Sequence, residues 1–374
     1  MMYSAALRLS PEDIYDASRM AFLEMALSGI TTVGEFHYLH HAADGQSYAD
    51  PNLLAKEVVR AARDVGLRIA LLRVAYARSG YQTDYNPQQG RFLEADPQLY
   101  LERAAKLHSD LETYEDAWLG LAPHSVRAVP LEYLHQIAEF AGERGLVIHM
   151  HVAEQPAEVA ACIAEHGKSP VALLESEHLL GQCFTAVHAI HLSPAEVLAL
   201  AHAKAKVCAC PTTERNLGDG VFPTDQFFTA GVEVALGSDS QIQIDLLEDA
   251  RELEYHLRLQ KIERAVLAPE NDDRQALARQ LFACATLSGA KSLGADAGEL
   301  EPNRFTDFFT INLDDPSVAG ASEDDLLPAV VFSLSRTAIR EVVVGGKMIV
   351  AEGHHQDEEE IIVKFKTLQK KLWG

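Results

Sequence analysis

Five short apolar runs in this chain end in residues able to bind a metal or move a proton. One ends His149-Met150-His151-Val152-Ala153-Glu154-Gln155. The next such end carries Val187-His188-Ala189 with His191 just beyond, and a later one carries Gly237-Ser238-Asp239-Ser240. Earlier ends read Glu35-Phe36-His37-Tyr38-Leu39-His40-His41 and Pro123-His124-Ser125-Val126-Arg127. Alternation along an extended chain turns His149 and His151 to the same side. A single histidine at a strand end is ordinarily a hydrogen-bonding residue, and His188 beside His191 could cap a helix. Imidazoles and a carboxylate gathered on one rim are instead the donor set of zinc or iron. Successive ends of this kind point to a catalytic rim. The remaining histidines do not join it: His108, His135, His166, His178, His202 and His256 fall in helical or loop stretches, and His354-His355 read as solvent-facing.

Such a rim needs parallel strands that all end on one side. Strand-like runs lie at 30–36, 68–75, 117–121, 146–152, 184–189, 206–210 and 232–237. Amphipathic stretches separate most of them, at about 52–65, 97–113, 130–143, 155–166, 169–177 and 193–204, with more near 245–264 and 273–289. A first helix over 11–29 has Ser10 as N-cap and closes at Gly29. Strand–helix alternation predicts βαβ units with right-handed crossovers. A continuous apolar run such as LVIHMHV is buried on both faces. Seven strands do not close a parallel barrel, which takes eight. Either the sheet is open and doubly wound, or one strand lies outside this chain; no glycine-rich phosphate loop supports a nucleotide-binding open sheet. The tail differs, with strands near 305–311 and 341–350, the latter turning at Gly345-Gly346, and a helix near 358–372 whose acidic start, 357–360, is solvated.

The 374 residues include 48% hydrophobic and 23% charged positions, an ordinary globular composition. A formal charge of −23 disfavours nucleic acid and anionic membrane as partners. No apolar run reaches the ~18 residues of a membrane span, and the first residues lack signal-peptide features. Five cysteines without framework spacing suit a reducing compartment, so the cytoplasm is expected. Cys208 and Cys210 read as small buried hydrophobes.

At the rim residues the sequence resembles the amidohydrolase superfamily, metal-dependent hydrolases on a (β/α)8 barrel. Its pattern of H-x-x-E, a histidine and then an aspartate on successive or near-successive strands is matched by His151-x-x-Glu154, His188 and Asp239. GEFHYLHHAADGQSYADP, APHSVRAV, HMHVAEQ, VHAIH and CPTTERNLGDGVFP look like the formimidoylglutamate deiminase family, over nearly the whole chain. The resemblance implies His151 and Asp239 as metal ligands, zinc by default with iron on the same ligands. It implies Glu154 as proton shuttle, Asp239 as general base and His188 as partner of the attacking water and of substrate. Tyr38, His124 and Arg127 would bind substrate, Arg127 as a fork for a carboxylate; its plainer reading is a structural salt bridge. The implied reaction turns N-formimino-L-glutamate and water into N-formyl-L-glutamate and ammonia, and the resemblance also suggests a homodimer.

The superfamily's first strand carries an H-x-H that completes the metal's ligands, and no such motif precedes His37. The expected architecture is therefore a TIM-like (β/α)8 barrel over 1–300 lacking its first strand, a partial β-rich domain over 301–357 and a C-terminal helix over 358–374. The chain reads as a family member that begins late, with an incomplete metal site and impaired activity. Gln241-Ile242-Gln243 also replaces the histidine expected after Ser238-Asp239-Ser240. The alternatives are another deaminase or chlorohydrolase of the superfamily, and a non-catalytic remnant that binds a dicarboxylate.

Overall fold

A computed structural model describes residues 5–83, 86–269 and 273–374 in two compact units. The first comprises Met1–Ala26, Ile30–His149 and His354–Gly374; the second comprises Leu27–Gly29 and Met150–Gly353.

In the first unit, helix α1 (Pro11–Leu27) starts where expected, because Ser10 and Asp13 exchange bonds. The Ser10 N–H donates to Asp13 Oδ2 at 2.8 Å, and the Asp13 N–H donates to Ser10 Oγ at 3.2 Å, satisfying two otherwise orphaned amides. Strands β1 (Thr32–His37), β2 (Arg68–Ala75) and β3 (Ala117–Pro123) pair in parallel, and β3 pairs with β4 (Ile148–Val152) through Leu121 and Ile148. The registers run from Thr32 opposite Arg68 to His37 opposite Arg73, and from Ile69 opposite Ala117 to Ala75 opposite Pro123. All of β2 is buried, as a wall covered on both faces must be. At Gly120 a side chain would meet Leu72 Cδ2 at 2.5 Å, so only glycine lets β2 and β3 pack this closely. Helices α2 (Leu53–Val65), α3 (Pro97–Leu111) and α4 (Leu131–Arg144) supply the apolar cover: Leu54, Val58, Leu107, Leu134 and Ile137 are all buried. Each such side chain contributes roughly 1.5–3 kcal/mol by leaving water.

One ion pair is set inside this apolar frame. Arg73 has no solvent exposure and grips Glu94 with two bonds, of 2.6 and 3.1 Å, while Arg103 binds the same carboxylate. Tyr133 donates to the Glu94 carbonyl and Tyr100 to the Arg73 carbonyl, which ties this network to α4 and α3.

In the second unit, the remainder of β4 is followed by β5 (Phe184–His188), β6 (Lys206–Ala209) and β7 (Val234–Leu236). The hydrogen-bonded order of the parallel strands is the chain order, β1 to β7, as the βαβ reading expected. Helices α5 (Pro156–His166), α6 (Pro170–Ser176) and α7 (Pro194–Ala203) fall on the expected stretches. Two short helices, α8 (Pro211–Leu217) and α9 (Thr224–Ala230), were not anticipated. The single helix expected over 273–289 is broken into α11 (Ala276–Ala285) and α12 (Leu287–Leu293), after α10 (Leu246–Lys261). The break is Thr286, whose ψ of −89° leaves the helical region while its hydroxyl returns to the Phe282 carbonyl.

Strands β8 (Phe308–Ile311), β9 (Ile339–Val344) and β10 (Lys347–Ala351) form an antiparallel set in the order β10–β9–β8, with α13 (Glu323–Ser333) between β8 and β9 in sequence. The β9–β10 turn is at Gly345 and Gly346, both at positive φ, as a two-residue hairpin requires.

The tail corrects one expectation. His354 is exposed, but His355 is buried and its Nε2 lies 3.1 Å from the Val65 carbonyl at the end of α2. The last helix, α14 (Glu358–Trp373), pairs Lys371 with Asp13, and Leu372 accepts a 2.6 Å bond from Arg8. No helix among the described residues is long and apolar enough to cross a membrane.

Candidate metal centre and active site

Three segments of the second unit, at the ends of β4, β5 and β7, place the rim residues. β4 ends at Val152 and delivers His151; the chain then passes through Ala153 at φ +52° to Glu154. β5 ends on His188 itself, at φ +67°, with Ala189 at +50°. Asp239, at +56°, follows β7. Left-handed backbone at non-glycine residues costs about 1–2 kcal/mol and persists only where neighbours enforce it. Here the enforcement is visible: Ala189 donates to the Val152 carbonyl at 2.9 Å and His191 binds the Asp219 carbonyl at 2.8 Å. Thr213 Oγ1 lies 2.7 Å from the Ser238 carbonyl and 2.6 Å from Ser240 Oγ, bracketing Asp239.

The result is a close cluster. Donor atoms of His151, His188 and Asp239 all lie within 4.8 Å of one another. The His151 and His188 rings are stacked, with centroids 5.6 Å apart and an 18° interplanar angle. His151 Nε2 is 4.0 Å from Asp239 Oδ1, and His188 Nε2 is 3.9 Å from Glu154 Oε1. His151, His188 and Asp239, expected to meet, do meet, with Glu154 beside them.

Electrostatics follow from crowding carboxylates into a dry space. Burial raises the Glu154 carboxyl; His188 opposes this, and Asp219, Asp239 and Glu214 reinforce it. Burial likewise raises Asp239, with Glu214 and Asp219 adding to it against His188. For His188 burial works downward, but the Glu214 bond and the charges of Asp239 and Glu154 overcome it and raise the ring to about 9. So much negative charge calls for a cation. The Nδ1 of His188 is engaged by Glu214, whereas its Nε2 is buried with no hydrogen-bond partner among the described residues. A bare imidazole nitrogen beside a second imidazole and a carboxylate fits a divalent ion. His188 therefore stands as a third candidate donor beside the expected His151 and Asp239.

Glu214 and Asp219 were not singled out beforehand. Both are buried, and each leaves one carboxylate oxygen without a hydrogen-bond partner. Gln155 Nε2 donates to the other oxygen of Asp219 at 2.9 Å. Their signal was membership of CPTTERNLGDGVFP, a segment that carries the family resemblance, in which neither acid was given a role. Cys210 is buried as expected, whereas Cys208 is half-buried.

In the first unit two of the expected substrate residues, Tyr38 and His124, meet. The Tyr38 and His124 rings meet edge-on at 5.7 Å, and Tyr76 packs on His124 at 4.7 Å. His124 Nδ1 lies 3.0 Å from Ser125 Oγ. Half-buried Arg127 donates to the Ser79 carbonyl at 3.1 Å.

Parallel strands whose C-terminal ends carry His151, His188 and Asp239 define a hydrolase of the amidohydrolase class. The chain matches the amidohydrolase family over residues 2–349 and belongs to it; it is a hydrolase acting on C–N bonds. Among individual proteins, it is 38% identical to the formimidoylglutamate deiminase of Pseudomonas aeruginosa over 360 residues, covering 96% of this chain and 78% of that one. It is 28% identical to a 5-methylthioadenosine/S-adenosylhomocysteine deaminase of Pyrococcus abyssi, over 96% of this chain and 77% of that protein. The crystal structure of an amidohydrolase from Brucella melitensis superposes with a TM-score of 0.92 at 34% identity, covering all of this chain and 82% of that one. The α/β fold of TIM-like barrel type, with a small antiparallel sheet toward the C-terminus, is thus shared along the chain.

Proposed function

We propose that this protein is a metal-dependent iminohydrolase that converts N-formimino-L-glutamate and water to N-formyl-L-glutamate and ammonia. The observation that carries the reading is the convergence of His151, His188 and Asp239 within 4.8 Å, with Glu154 beside them. The likeness to the Pseudomonas deiminase supports the substrate.

Adding water to a formimino carbon needs a nucleophile at neutral pH and an acid for the leaving nitrogen. His151 and Asp239 would hold a divalent cation, zinc by default or iron on the same ligands, which when bound would supply the first need by lowering the pKa of a water to roughly 7. The remaining work belongs to side chains. His188 hydrogen-bonds the attacking water, and Asp239 takes a proton from it. Glu154 carries a proton to the imine nitrogen, then to the departing ammonia as the carbonyl forms. Its raised carboxyl suits that task, since a proton carrier works best with a pKa near the working pH. Tyr38, His124 and Arg127 hold the glutamate portion, with Arg127 facing a carboxylate in a protein otherwise rich in negative charge. His188, the third candidate donor, stands beside His151 and Asp239 in the same cluster.

The test is ammonia release from formiminoglutamate, guanine and related rings, with zinc or iron added and after chelation. Formiminoglutamate should be preferred, and chelation should abolish turnover with recovery on re-addition. Preference for a ring, or full turnover after chelation, would overturn the proposal.

A further inference from the structure

The His188 ring is held at one end only. Its backbone is pinned by Ala189 and by the bond from His191 to the Asp219 carbonyl, and one ring face stacks on His151. Neither contact distinguishes the two flipped orientations of an imidazole, since a half-turn about Cβ–Cγ leaves the stacked plane unchanged. The flip would exchange Nδ1 with a carbon and move Nε2 off the donor cluster. What discriminates is Glu214. Its Oε1 lies 3.2 Å from His188 Nδ1, with both side chains 1% exposed. The same oxygen accepts the Cys210 N–H at 2.8 Å, where β6 gives way to α8, so the acceptor is itself anchored to backbone.

We propose that Glu214 is the positioning residue for His188: it takes a hydrogen bond from Nδ1, locks the ring against flipping, and thereby aims Nε2 at the space shared with His151, Asp239 and Glu154. A ring nitrogen's hydrogen bond sets what the opposite nitrogen can do. Glu214 acts through His188, whose Nδ1 it holds. Its kinetic consequence rests on the hydrolase reading, whereas the contact itself does not.

The experiment is proton–nitrogen correlation NMR on the full chain labelled with ¹⁵N-histidine, with and without added zinc. Wild-type protein should show a low-field, slowly exchanging ring Nδ1–H that disappears in His188→Gln. Glu214→Ala should lose it, and Glu214→Gln, which keeps an acceptor oxygen, should retain it at higher field. Circular dichroism separates this outcome from unfolding. Absence of the resonance in folded wild-type protein, or its persistence in Glu214→Ala, refutes the contact. In the ammonia assay, Glu214→Ala should lower kcat by about 10- to 100-fold with KM within twofold, and Glu214→Gln should recover most of it. A ring proton that behaves as expected with kcat unchanged in Glu214→Ala refutes the positioning role. If no variant, wild type included, releases ammonia from formiminoglutamate, the functional reading fails while the NMR result still decides the contact.

Discussion

Replacing Glu94 by alanine should leave the Arg73 guanidinium charged, fully enclosed and without its counter-ion. The structure sets the magnitude. Arg73 and Glu94 side chains have no exposure, Arg103 has 11%, and the Glu94 carboxylate accepts bonds from both arginines. Arg73 would keep the 3.3 Å bond from its Nε to Asn52 and its place over the Tyr100 ring, 4.8 Å from the centroid. Breaking a buried pair from one side costs about 3–5 kcal/mol, because solvation cannot replace what is lost. Glu94→Gln keeps one acceptor oxygen and should cost about 2 kcal/mol. Replacing Arg73 and Glu94 together by methionine removes both charges and should cost less than Glu94→Ala alone. Urea denaturation followed by tryptophan fluorescence suits the measurement, since Trp118 and Trp373 both lie in the first unit. Acid adds a second arm. Burial opposes ionisation of Glu94, but the adjacent His40 and Arg73 and the arginine hydrogen bonds hold its carboxyl well below the usual range. Its contribution is therefore present above an unfolded pKa of about 4.3 and is lost as pH falls, so the acid slope should shrink in Glu94→Gln. A cost under about 1 kcal/mol for Glu94→Ala, or a double variant worse than it, would refute the reasoning.

Asp249 gives the opposite sign. Burial raises its carboxyl to about 8, with an amide bond from Thr212 opposing this. The folded state keeps a proton that the unfolded chain releases, so this contribution is full below the ordinary aspartate pKa of about 3.9 and fades as pH rises toward about 8. Asp249→Asn should flatten that part of the profile, as stability measured across pH 4–9 would reveal; an unchanged profile would remove Asp249 as its source. At the proposed substrate site, Arg127→Ala should raise KM for formiminoglutamate about 30- to 100-fold, the loss of about 2–3 kcal/mol of charge-assisted binding, with kcat little changed. Arg127→Lys should recover little of it, and an unaltered KM in Arg127→Ala would remove this residue from substrate binding.

The parallel strands were legible because each apolar run is short, β-branched and separated from the next by helical periodicity. The convergence of His151, His188 and Asp239 was legible for a related reason: parallel strands end together, so residues far apart in sequence share a rim. Helices α8 and α9 were not legible, since seven residues make under two turns and show no period. Glu214 and Asp219 were hidden by the same shortness; nothing local says that an acid in such a segment turns inward to a histidine ring or a glutamine. His355 was misread because its partner, the Val65 carbonyl, lies 290 positions away. Thr286 offers a similar lesson, because the sequence there remains helix-compatible while the backbone turns out of the helix.

The division of the chain into two units has a consequence for its synthesis. The second unit runs to Gly353, while the first takes in residues 354–374, with His355 beneath α2 and Lys371 against Asp13. On a ribosome the part begun first is therefore finished last. Its early strands therefore leave the ribosome before its last helix does, at about 5–20 residues per second.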